Sequence, residues 1–172
     1  MSVNRYLMPI TDDELTSLLQ TPERVHDLVD ERENEVQELG TDAVAIVVLT
    51  AESAEDPLAF MSEGAPGEVA GWIGEYAEED GQVVECEIDM GYGPPAYYRN
   101  EFLQEVAQRL QALTVIDFAA NCDLDWLEEN DIYPTGWHDE GRKESLIESF
   151  NVYRECILAA TESGRHLLLW CA

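Results

Sequence analysis

The segment from residue 142 to residue 171 reads RKESLIESFNVYRECILAATESGRHLLLWC, and its hydrophobic pattern changes from helical to extended near the end. Apolar residues recur at spacings of three and four over residues 142–162, which predicts one long amphipathic helix. The expected core-facing residues of this helix are Leu146, Phe150, Tyr153, Ile157 and Ala160. Gly164 predicts the end of the helix, and the apolar run 166–171 predicts a strand. A long helix that returns directly into a strand is expected where helices pack on a sheet.

Residues 82–90 show the alternation of a strand that has one face in solvent. The residues expected inside are Val84, Cys86 and Ile88, and those expected outside are Glu85 and Glu87. The preceding run 69–76 would pair with this strand as a hairpin across the polar loop 77–81. One wet face is typical of an antiparallel sheet. We therefore predict an α+β fold, a single domain over residues 1–172 in which a mostly antiparallel sheet is packed by several helices.

The chain opens with a predicted strand over residues 5–10, which is followed by a helix start. Thr11 and Glu14 have the spacing of a capping box, in which each side chain bonds the backbone N–H of the other residue. The expected buried stripe of this first helix is Leu15, Leu18 and Leu19.

A second helix is predicted from Pro22, because proline is favoured in a first helical turn. Apolar residues continue at helical spacing to Leu39, and Gly40 is the expected stop. Residues 43–49 then form an apolar run rich in β-branched side chains. Propensity favours a buried strand there, whereas periodicity fits a buried helix equally well.

Three more helix starts are marked by capping residues. Asn100 is the expected cap of the first, and Thr114 with Asp117 marks the second directly after it. Asp123 or Asp125 is the expected start of a short third helix.

The net charge limits the classes of partner. The chain has 37 Asp and Glu against 9 Lys and Arg, which gives −28 at neutral pH. Such a surface repels nucleic acid and anionic membranes, so neither is an expected partner. It would attract a basic protein, although the same charge also serves solubility or adaptation to high salt. The sequence alone leaves the oligomeric state open.

The four cysteines are too far apart in sequence to form a C-x-x-C zinc or redox motif. The chain contains neither an apolar secretory signal nor an apolar run long enough to span a bilayer. We therefore expect a reduced, cytoplasmic protein without a cofactor or a metal site.

One candidate functional cluster lies in the segment 131–140, which contains Tyr133, Trp137, His138 and Glu140. These side-chain types could bind a divalent metal or transfer protons. Adjacent residues of one loop rarely converge on one ion, however, because their side chains point apart. The favoured interpretation is a turn in which Trp137 fills the core and the nearby acidic residues stabilise the N-terminus of the next helix.

The second candidate is the loop 91–98, in which Tyr92 and Tyr97 could form the aromatic rim of a binding site. The loop lacks the glycine pattern and the lysine of a phosphate-binding loop. Its glycines and prolines also fit a simple strand exit, in which glycine supplies positive φ and proline fixes the turn.

Three segments together resemble a known family. They are IDMGYGPP at 88–95, DIYPTGW at 131–137 and AATESGRHLLLW at 159–170, and their order and spacing resemble the YfbM-like family of small bacterial proteins of unknown function. The resemblance implies an α+β fold and offers no established activity or cofactor. It also implies that residues 43–49 are helical and that residues 66–87 contain an added hairpin.

Two functions are compatible with these residues. The first is a non-enzymatic acidic protein-binding domain, of the type that an immunity protein or inhibitor represents, which would cover a basic site by charge complementarity. The alternative is a small-molecule hydrolase or transferase with its pocket between the loops 91–98 and 131–140. A concave pocket that holds His138 and a carboxylate from another element would favour the enzyme.

The excess charge predicts that stability depends on salt. With 28 net negative charges, self-repulsion opposes folding at low ionic strength, and salt screens that repulsion. We expect the melting temperature, measured by circular dichroism, to rise between dilute buffer and molar salt. A flat or falling melting temperature would show that the charges are compensated locally, and would remove the salt-adaptation hypothesis.

Overall fold

The fold is organised around two long antiparallel strands, one at each end of the chain. The computed structural model describes residues 3–63, 70–79 and 82–172. The strands are β1 (Arg5–Ile10), β2 (Gln37–Gly40), β3 (Ala70–Trp72), β4 (Tyr76–Glu79), β5 (Gln82–Cys86), β6 (Ala96–Tyr98) and β7 (His166–Cys171). Five of them form one antiparallel sheet in the order β2-β1-β7-β6-β3, and β4 pairs with β5 in a separate hairpin. The predicted α+β fold with an antiparallel sheet is confirmed.

Eight α-helices are described in these ranges. They are α1 (Asp12–Gln20), α2 (Arg24–Glu31), α3 (Ala43–Thr50), α4 (Phe60–Glu63), α5 (Asn100–Ala112), α6 (Val115–Asn121), α7 (Leu124–Glu129) and α8 (Arg142–Glu162). None of them combines the length and the apolar composition that crossing a bilayer requires. The bounds of α8, β7 and β1 are those predicted from the sequence.

The sheet separates two apolar layers, because successive side chains of a strand point to opposite faces. Leu167 and Leu169 of β7 face the helices α5 and α8, whereas Leu168 and Trp170 pack towards α1 and α2. β7 lies between β1 and β6 and is covered on both faces, so four successive apolar residues are buried. Its continuous apolar sequence follows from this central position.

The capping box predicted at Thr11 is present, and a second one occurs at the predicted helix start at Thr114. Glu14 N–H donates to Thr11 Oγ1 at 3.2 Å, and Thr11 N–H donates to the Glu14 carboxylate at 2.7 Å. The same reciprocal bonds join Thr114 and Asp117 at the start of α6. Asp123 caps α7 by accepting a bond from a backbone N–H of its first turn.

The prediction of one helix from Pro22 to Leu39 is wrong. α2 starts at Arg24 and ends at Glu31, and residues 37–40 are the edge strand β2, which pairs with β1. The Arg32 side chain, directly after α2, binds groups at the end of β1 and the start of α1. Arg32 donates to the Pro9 carbonyl at 2.8 Å and forms a 2.7 Å ion pair with Glu14.

The predicted hairpin exists, but its first strand is shifted. Residues 70–72 pair with β6 in the main sheet, and the strand that pairs with β5 is Tyr76–Glu79. The second strand is shorter than the predicted 82–90, because β5 ends at Cys86 and the chain bends over residues 87–90. One further backbone bond, from Glu87 N–H to the Glu75 carbonyl at 2.8 Å, lies just beyond the strand.

The burial pattern around this hairpin agrees with the prediction at Glu85, Glu87 and Ile88 but not fully at Cys86. Glu85 and Glu87 are exposed, Ile88 is buried and Cys86 is half-buried. The side chain of Val84 lies outside the described residues.

Residues 43–50 form a helix, so the strand that local propensity favours is wrong there and the helical alternative is right. The helix begins with Ile46 N–H donating to the Asp42 carbonyl at 2.9 Å. Its buried residues are Ala43, Ala45, Ile46 and Val47. A helix that is apolar on most sides is expected in the interior, where tertiary packing outweighs β-propensity.

Asn100 does not cap α5 with its side chain as predicted. Its side-chain amide donates to the Arg165 carbonyl at 2.9 Å, and its backbone N–H donates to His166 Nδ1 at 3.0 Å. Because Nδ1 accepts that bond, the proton of a neutral His166 lies on Nε2, which is 3.1 Å from a carboxylate oxygen of Asp12. Asn100 and His166 thus join the start of α5 to the turn between α8 and β7.

Candidate functional site

Trp137 fills the core beneath the segment 131–140 and is fully buried. Its indole N–H donates to the Ile132 carbonyl at 2.8 Å, and its backbone N–H donates to the Glu128 carboxylate at 2.7 Å. The Arg142 guanidinium lies 4.5 Å from the centre of the indole ring, within cation–π range. Trp137 therefore has the packing role that the sequence favours, and a role of this residue in binding stays a prediction.

An ion pair below this loop joins the N-termini of two helices. Arg142 of α8 donates to Asp42 Oδ1 at 2.6 Å, and Ser149 donates to Asp42 Oδ2 at 2.8 Å. The Asp42 side chain is 4% exposed and that of Arg142 is 20% exposed. The pair connects the start of α8 to the start of α3.

The other residues of the segment 131–140 are in solvent. His138 Nε2 lies 3.5 Å from Asp125 Oδ1, and both side chains are more than half exposed. Tyr133 and Glu140 are also exposed. His138 borders an open surface depression between α6, α7 and the start of α8, to which the loop 91–98 contributes no residue.

The two tyrosines of the second candidate site have different surroundings. Tyr92 is 47% exposed, and its backbone N–H donates to the Cys171 carbonyl at 3.1 Å. Tyr97 lies on β6 and packs across Gly71 of β3, where a Cβ would come within 2.7 Å of the tyrosine hydroxyl. Tyr97 therefore packs against the edge strand β3, and Tyr92 is the more accessible ring of the two.

A different site emerges where the corner between α1 and α2 faces the hairpin. A groove of about 900 Å³ lies there, and we call it the corner groove. Its lining residues are Leu19, Pro22, Trp72, Gly74, Glu75, Ala77, Glu85, Cys86 and Glu87. This volume is within the range of natural ligand sites, which is about 300–1,000 Å³.

The carboxylates of the corner groove belong to one wall. Glu85 pairs directly with Ala77 across the hairpin, so their side chains share one face. Glu87 is held beside them, because its carboxylate accepts the Glu75 N–H at 2.9 Å. Glu75, Glu85 and Glu87 are all exposed, and none of the described residues that line the groove is a lysine or an arginine. The wall therefore presents uncompensated negative charge.

The cysteine of the corner groove is poorly suited to nucleophilic chemistry. Burial, followed by the carboxylates of Asp89 and Glu87, raises the pKa of the Cys86 thiol. Burial also raises the pKa of Cys122 and Cys171, and it raises that of Cys156 to about 12. These thiols are therefore protonated at neutral pH, whereas a nucleophile or metal ligand needs the thiolate. In the ranges that the structure describes, no three His, Cys, Asp or Glu side chains form a metal-binding group.

The corner groove cannot be recognised from the sequence, for a specific reason. Leu19 is predicted in the buried stripe of α1, but it is 41% exposed at the groove. The alternation over residues 82–90 does place Glu85 and Glu87 on a wet face. Nothing in the local pattern shows that this face lies opposite the α1–α2 corner, because more than 50 residues separate the two.

Comparison with known proteins identifies a family and a fold. The family model described as a domain of unknown function, DUF1877, matches residues 1–170. The crystal structure of a protein of unknown function, YfbM from Escherichia coli, is similar with a TM-score of 0.57 and 18% sequence identity, and the match covers 100% of both chains. At that identity the likeness shows the fold alone. No curated protein matches the chain.

Proposed function

The chain belongs to the DUF1877 family, whose function is unknown, and from this starting point we propose that it is a non-enzymatic binding module that docks a basic protein. The corner groove is the observation that supports this proposal most directly. It combines exposed carboxylates with apolar surface, and the lining residues that the structure describes include no cation. An acidic surface of this kind attracts a basic partner and rejects an acidic one.

Several features favour binding over catalysis. Trp137 is buried, and His138 and Asp125 are exposed on the surface rather than enclosed in a cleft. A general base must be held within reach of its substrate, and an exposed pair at 3.5 Å provides little such restraint. The alternative of a hydrolase or transferase between the loops 91–98 and 131–140 therefore gains no support from the geometry.

The charge of the groove indicates the class of partner. If the partner is an enzyme whose basic active site this module covers, the chain is an immunity or inhibitor protein.

The four free thiols fit a reducing cytoplasm, which we propose as the location of the protein.

Neutralising the acidic wall should release the partner. We expect the triple variant E75Q/E85Q/E87Q to weaken binding of a basic protein by about tenfold, since exposed ion pairs contribute about 0.2–1 kcal/mol each. The measurement is retention of proteins from host extract on the immobilised full chain, identified by mass spectrometry and followed against salt concentration.

The matched control is the triple variant E105Q/E129Q/E148Q. It removes the same number of exposed carboxylates from α5, α7 and α8. If a basic protein is lost equally from both variants, overall charge rather than the corner groove holds it. If no basic protein is retained by the unaltered chain, the proposed function fails.

A further inference from the structure

The corner groove has two chemically different walls. Leu19 and Pro22, at the turn between α1 and α2, form an apolar wall. The hairpin face opposite them carries Glu75, Glu85 and Glu87. Leu19 is 41% exposed, so a ligand that covers it removes apolar surface from water.

We propose that the corner groove binds an extended segment of the partner in which basic and apolar residues alternate. In an extended chain, successive side chains point to opposite sides. A segment that lies along the groove therefore presents every second residue to the carboxylates and the residues between them to Leu19 and Pro22. This inference rests on the proposed function, because it names the chemistry that the basic partner would offer.

Arginine suits the acidic wall better than lysine. Its planar guanidinium can bond two carboxylate oxygens at once. Glu87 is already oriented by its bond from the Glu75 N–H. Orientation before binding reduces the entropy that is lost when the complex forms.

Two peptides of identical composition test this arrangement. One is RLRLRLR and the other is RRRRLLL, both with blocked ends, so that charge and hydrophobicity are the same and only the order differs. We expect the alternating peptide to bind the full chain about tenfold more tightly, since only this order places leucines on the apolar wall while arginines contact the carboxylates. The measurement is isothermal titration calorimetry at low and moderate salt.

A variant of the apolar wall should remove this preference. We expect Leu19→Gln to bring the two affinities within about twofold of each other, because the loss of apolar contact affects only the peptide that uses it. Ile116→Gln is the matched control, since Ile116 is 81% exposed on α6, away from the groove, and the substitution should leave the preference unchanged.

The possible outcomes separate this inference from the proposed function. Equal affinity of the unaltered chain for both peptides would overturn the alternating arrangement, and so would a preference that survives in Leu19→Gln. If both peptides are then weakened by E75Q/E85Q/E87Q and not by E105Q/E129Q/E148Q, the groove remains the site of a basic partner. If neither triple variant changes the binding of either peptide, both proposals fail.

Discussion

Trp137→Ala should lower the free energy of unfolding by about 3–5 kcal/mol, as truncation of a buried aromatic residue does. The ring is fully buried, so its removal leaves a cavity as well as losing apolar contact. It also leaves the Ile132 carbonyl without its indole donor and the Arg142 guanidinium without the ring on which it stacks. Urea denaturation followed by circular dichroism would measure the change.

The neighbouring residue provides the control for this experiment. His138→Ala should change the free energy of unfolding by no more than about 0.5 kcal/mol, because the side chain is 59% exposed and its pair with Asp125 lies in solvent. A large loss from His138→Ala together with a small loss from Trp137→Ala would contradict the packing role of Trp137. It would also support a functional role for His138.

Asp42→Ala should lower the free energy of unfolding by about 3 kcal/mol, because it leaves the Arg142 guanidinium without its partner in a mostly buried position. The value is at the lower end of what breaking a buried ion pair costs, since one fifth of the Arg142 side chain still reaches water. Ser149 loses its acceptor as well. The same denaturation experiment would measure this change.

A double variant tests whether the lost charge partner is the cause. Asp42→Ala combined with Arg142→Met removes both charges and keeps a long apolar side chain beside Trp137, so most of the lost stability should return. Asp125→Ala breaks an exposed pair in the same region and should change stability by no more than about 0.5 kcal/mol. If the double variant is as unstable as Asp42→Ala alone, the ion pair is not the source of the loss.

The candidate site was only partly predictable from sequence. The acidic character of the chain and the exposure of Glu85 and Glu87 follow from composition and alternation. The choice between a core role and a binding role for Trp137 required the structure, because an aromatic residue in a turn is compatible with both. The corner groove itself required the structure, since its two walls come from distant parts of the chain.

Local sequence determined the elements whose signals are local. The bounds of α8, β1 and β7 and the capping boxes at Thr11 and Thr114 are set by periodicity and by side chains that bond backbone groups three residues away. The resemblance of three segments to the YfbM-like family also held, as the family match over residues 1–170 shows.

Tertiary structure decided the segments whose local signals were ambiguous. Residues 43–50 are helical because they are packed in the interior. Residues 37–40 are a strand because they pair with the edge of β1, to which the Arg32 side chain also bonds through the Pro9 carbonyl. In both segments, contacts with distant residues outweigh a local preference of at most about 1 kcal/mol per residue. A short apolar run can be buried as a helix or as a strand, and the surface against which it packs selects between the two.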